Sequence, residues 1–90
     1  MRTIHKHTVY PGVVIRMAHN AFPVLFDEQR GTAMLWIETD DDPDYGQTKR
    51  QYTVIGTGHE VPRNSTHIAS YITKDDKFVW HLYEMHGEVV

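Results

Sequence analysis

Short runs of β-branched and aromatic residues recur along this chain, each bounded by Gly, Pro, Asn or Asp, and apolar spacing at a helical period is nowhere sustained. The runs are Thr3–Tyr10, Val13–Ala18, Pro23–Glu28, Ala33–Thr39, Lys49–Gly56, His67–Thr73 and Lys77–Met85. A chain punctuated in this way cannot build a helical bundle or a βαβ unit. It is expected to be all-β: a small antiparallel meander, sandwich or partly open barrel of about six to seven strands.

The joints between the runs support this division. Gly31, after Glu28-Gln29-Arg30, can take the left-handed conformation of a short hairpin loop. Lys74-Asp75-Asp76-Lys77 predicts a second hairpin, because Asp favours turn conformations. Alternation with period two then assigns faces. Phe78, Trp80 and Leu82 share one face of the last run, with Val79, His81, Tyr83 and Met85 on the other; Ala33, Leu35 and Ile37 oppose Met34, Trp36 and Glu38. Both runs are apolar on two faces, which predicts central strands or a face that meets a partner.

Ninety residues, 40% of them apolar and 23% charged, describe one globular domain over residues 1–90 with room for a single small core. The absence of cysteine excludes disulfides, thiolate metal sites and a cysteine nucleophile. Early residues Arg2, His5, Lys6, His7, Arg16 and His19 interrupt any apolar stretch, so no signal peptide or membrane span is expected and the chain reads as soluble and intracellular. A formal charge of −3, with Lys49-Arg50 among the few basic runs, speaks against direct nucleic-acid binding.

Several stretches invite a chemical reading. "VIGTGHEVP", residues 54 to 62, holds a Gly-x-Gly after an apolar run, but a phosphate loop must open a helix, and Pro62 forbids one of useful length. The same stretch fails as a zinc-protease motif, because Arg63 stands where the second histidine should. Its glycines instead suggest a bulge or sharp bend where the fifth strand leaves the sheet. In "ETDDDPDYG", Tyr45 occupies the glycine position of a calcium loop that starts at Asp40, and Gln51 the glutamate position, so a solvated acidic loop is the expectation. Seven histidines are conspicuous. His5 and His7 would share a strand face, and with His81 or His59 they form an alternative metal or small-ligand site. Ser65 and Ser70 lie in no nucleophile elbow, the carboxylates cluster in loops, and no catalytic residue is nominated.

"RTIHKHTV", "LWIETD", "RQYTVIGTGHEVP" and "KFVWHLYE" together resemble a family of small proteins of tailed bacteriophages and prophages, known only as a domain of unknown function. The likeness spans nearly the whole chain. It implies an accessory phage protein in the host bacterial cytoplasm, without cofactor or enzymatic activity, that binds and modulates a bacterial host protein such as a defence system or the transcription machinery. A minor structural component of the virion is a further alternative. Expected partner-binding residues are Trp36, Tyr83 and Met85 on the second strand faces and Asp40, Asp41, Asp42, Asp44 and Tyr45 in the acidic loop. Two-sided apolar strands also lead us to expect self-association as a homo-oligomer.

Overall fold

The computed structural model describes residues 1–87. They form seven strands and no helix: β1 (Arg2–Thr8), β2 (Val14–Ala18), β3 (Phe22–Gln29), β4 (Thr32–Asp40), β5 (Gln47–Gly56), β6 (Ser65–Ile72) and β7 (Val79–Met85). Three make an antiparallel sheet in the order β1-β4-β3 and four a second in the order β2-β5-β7-β6. The sheets stack as an open sandwich and do not close into a barrel. Of the architectures that alternation left open, packing therefore selects the two-layer one.

The strands that are apolar on both faces sit where that pattern requires. β4 has neighbours on both sides, and so does β7. On β4, Leu35 and Ile37 are buried at 0% and 1% exposure, whereas Met34, Trp36 and Glu38 face outward and are half-buried. Facing them across the sandwich are Ile15, Met17, Tyr52 and Leu82, and together these side chains make one core. Fully burying each of the aliphatic ones contributes about 1.5–3 kcal/mol. Phe78 departs from the expected inner face: it precedes β7, is exposed, and reaches the core only by stacking on Trp80 at 5.9 Å.

Turn chemistry sets the registers. Arg30 and Gly31 both have positive φ, 54° and 76°, and join β3 to β4 by the tight two-residue loop whose twist matches that of its strands. In the β6–β7 hairpin, Asp75 Oδ1 accepts from the Thr73 hydroxyl at 2.6 Å and from the Lys77 backbone N–H at 3.0 Å. Those bonds favour the ionised carboxyl and hold its pKa below the usual range. Beyond Gly56 the chain bends away as expected, the His59 N–H closing on the Gly56 carbonyl at 3.2 Å. A Cβ on Gly56 would lie 3.1 Å from the His59 ring and 3.2 Å from the Trp80 ring, so this glycine lets the loop pack against β7. The bulges themselves fall elsewhere, between Pro23 and Leu25 and between His67 and Ala69.

Candidate functional site

Directly opposed residues on neighbouring strands point to the same side of a sheet, so the registers state which side chains share a surface. Across the three-stranded sheet Ile4, Glu38 and Phe22 form one row, Lys6, Trp36 and Leu25 the next, and Thr8, Met34 and Asp27 a third. All of these face away from the core. Ile4 is 53% exposed, Phe22 47% and Leu25 49%, and they surround the half-buried Trp36. The bulge at Val24 adds another exposed apolar side chain beside them. Charge borders these apolar side chains: Arg2 Nε donates to Glu38 Oε2 at 2.8 Å with its guanidinium 5.6 Å from the centre of the Phe22 ring, Lys6 Nζ donates to Gln29 Oε1 at 2.7 Å beside Trp36, and Asp27 stands in the third row. An apolar centre with an indole and a charged rim is the composition of a protein-docking surface.

The other expected partner residues do not join this surface. Tyr83 and Met85 face outward from the four-stranded sheet, on the opposite side of the sandwich from Trp36. The acidic segment forms the β4–β5 connection, where its carboxylates serve their own backbone: Asp40 Oδ1 accepts from the Asp42 N–H and Asp42 Oδ1 from the Asp44 N–H, both at 3.0 Å. Asp40 is lowered in pKa first by that backbone bond, and Asp41 by the Met1 amino group at 2.8 Å. Asp44 and Tyr45 are exposed in the same loop. The residues grouped by composition thus occupy three separate places.

The histidine alternative is corrected by geometry. His5 and His7 share a face, as alternation predicts, and line a cleft of about 160 Å³ near Asp40 and Asp41. His81 is on the outer face of the other sheet, and His59 packs over Gly56. Among the described residues no three His, Asp or Glu side chains are grouped so that they could hold a metal ion. Burial, reinforced by the neighbouring His5, lowers the pKa of His7. His81 enters a different arrangement: its Nδ1 is 2.6 Å from Ser70 Oγ and its Nε2 2.9 Å from Thr57 Oγ1, and Ser70 Oγ lies 2.8 Å from His67 Nε2. Ser70 has one hydroxyl proton, so at least one of the two imidazoles donates its N–H to Oγ. No carboxylate is hydrogen-bonded to either ring among the described residues, so the orienting acid of a nucleophilic triad is lacking there.

A further feature has no counterpart among the sequence motifs. At one end of the sandwich, beyond β1, the sheets part over a cleft of about 330 Å³ lined by Val9, Tyr10, Ala33, Val54, Tyr71 and Trp80. Tyr71 and Trp80 are directly opposed in the β6–β7 hairpin, a pairing that is set once the turn at residues 74–77 is centred. Tyr10 and Val54 arrive from segments far away in sequence, and no local signal announces them.

A family described as a domain of unknown function, DUF7352, matches residues 1–89. The chain belongs to that family. No curated protein matches it, and no solved structure does. The DUF7352 match covers every described strand, including the outer face around Trp36 and the cleft around Trp80, and its description gives neither a role.

Proposed function

We propose that this DUF7352 chain is a non-enzymatic protein-binding domain whose docking surface is the outer face of the β1-β4-β3 sheet. The observation that carries this reading is the exposure of Ile4, Phe22 and Leu25 around the Trp36 indole, on a face that no other part of the described chain covers. Water-exposed apolar area of this kind is costly to leave uncovered, and aromatic anchors within such areas dominate binding energy. The nature of the partner rests on the resemblance alone: a small phage accessory protein acting in the bacterial cytoplasm on a host protein.

The test uses a partner recovered from bacterial lysate by the wild-type chain and then purified. Leu25→Asp places a charge beside Trp36 on this face and should weaken that partner at least about tenfold, a typical hot-spot effect. Tyr83→Ala, on the opposite side, should leave affinity unchanged. Equal binding by Leu25→Asp, or a selective loss in Tyr83→Ala, would sink the assignment. Should the wild type elute as a dimer that Leu25→Asp converts to monomer, the partner is a second copy of the chain and the host-protein reading fails.

A further inference from the structure

The cleft at the end of the sandwich shares no side chain with the docking face, so a role for the cleft stands or falls independently of that surface. Three of its lining residues, Tyr10, Tyr71 and Trp80, are aromatic. Two of the rings are held from behind: Tyr71 meets Phe26 edge-on at 4.8 Å, and Phe78 stacks on Trp80. Tyr10 is 57% exposed and forms the outer lip. Rings fixed around a cavity cost little conformational entropy on binding, and their π-systems attract cations.

No lysine, arginine or histidine lines the cleft, and Arg30, though next to Gly31, belongs to a recess on the outer face with Lys6 and Gln29. Glu28 is directly opposite Ala33, on the inner side of the sheet, and half-buried. Its carboxylate accepts from the Lys74 backbone N–H and, among the described residues, makes no salt bridge to a cationic side chain. Tyr71 registers this field: its pKa is raised, first by burial and then by Glu28 and Asp27. Apolar walls, aromatic rings and a nearby carboxylate without a salt-bridge partner among the described residues suit a quaternary ammonium group, which has no N–H to donate and is only weakly hydrated.

We propose that this cleft is a binding site for a small organic cation with a quaternary ammonium head, seated between Tyr10, Tyr71 and Trp80 under the field of Glu28. The volume stands at the lower end of the range for small-ligand sites, which suits a choline-sized molecule. With no basic residue in the lining, a ligand that adds a carboxylate or phosphate to the ammonium group finds no partner for it, so a net positive charge is required.

The chain carries two tryptophans, and Trp36→Phe leaves Trp80 as the sole indole reporter inside the full-length protein. Titration of this variant with choline should change Trp80 fluorescence saturably. Affinity should exceed that for the neutral isostere, in which carbon replaces nitrogen, by about tenfold, between the value of an exposed and that of a desolvated cation–π contact. Betaine should bind more weakly than choline. Tyr10→Ala, at an exposed position, should weaken choline several-fold, and Glu28→Gln should do so while leaving the isostere unaffected. Failure of choline to saturate, or equal affinity for the isostere, overturns the proposal. Clear preference for a peptide bearing trimethyl-lysine would overturn the small-molecule assignment and make the cleft a reader of a partner chain.

Discussion

Tyr52 is wholly enclosed, and its hydroxyl finds no hydrogen-bond partner among the described residues. Burial drives its pKa up to about 12, with Arg50 opposing the rise and Glu84 adding to it. A buried polar group without a partner costs about 1–3 kcal/mol relative to its solvated state, so Tyr52→Phe should keep or raise stability, by up to about 1 kcal/mol, in urea denaturation at neutral pH. A loss of more than that amount would show the hydroxyl to be engaged. The alkaline limb carries its own signature. Because the folded-state pKa lies above the unfolded one, the contribution of Tyr52 is complete below about pH 10 and is lost as pH rises toward 12. Tyr52→Phe should flatten that limb. Within "QTKRQYTVIG" nothing local marks Tyr52 as more buried than its neighbours; its enclosure comes from the facing sheet. His5 and His7, by contrast, are readable as one-face neighbours because the period of a strand is a local property.

At the scale of the element, the β3–β4 hairpin shows how a turn can be legible in outline and strained in detail. Gly31 takes the left-handed conformation expected of it, at φ 76°, but Arg30 takes it too, at φ 54°. Positive φ is unfavourable for residues other than glycine, and least so for Asn. Arg30→Asn creates the Asn-Gly pair that this loop type favours and should stabilise the protein by about 0.5–1 kcal/mol in denaturant melts. A neutral or destabilising result would mean that the Arg30 side chain makes compensating contacts. Strand existence and the central places of β4 and β7 are recoverable from apolar residues on two faces. The bulges in β3 and β6 are not, since an extra residue leaves no mark on a short run, and the bulge in β6 is what sets His67 against Ser70 and His81.

For the molecule as a whole, Arg50 and Glu84 tie two strands of the four-stranded sheet to the connection that leads to the other layer. Arg50 Nη2 and Nε donate to the two Glu84 oxygens at 2.6 and 3.0 Å, and Nη1 donates at 2.9 Å to the Ala21 carbonyl, in the crossover from β2 to β3 that carries the chain from one sheet to the other. The pair is only 23% and 15% exposed, and the Glu84 bond holds the guanidinium in its charged form. Glu84→Ala should cost about 1–3 kcal/mol, because it strands a partly buried cation, whereas Arg50→Met with Glu84→Met should cost less than the single change. Equal losses in single and double variants would deny the coupling. Neither residue stands out in the sequence, although Glu84 closes the "KFVWHLYE" stretch, because a pair 34 residues apart is defined only when two strands are aligned. The sequence by itself determined that the chain is all-β, roughly where its strands and turns lie, that β4 and β7 are apolar on two faces and which faces alternate, since each of these depends on local period and turn chemistry. Tertiary structure alone decided that the strands divide into two sheets, that Trp36 and Tyr83 look in opposite directions, that His81 lies in the other sheet from His5 and His7, and that Tyr10, Tyr71 and Trp80 surround one cleft. Those facts depend on which edges pair and which faces stack, and such choices are made by contacts between residues that no local pattern links.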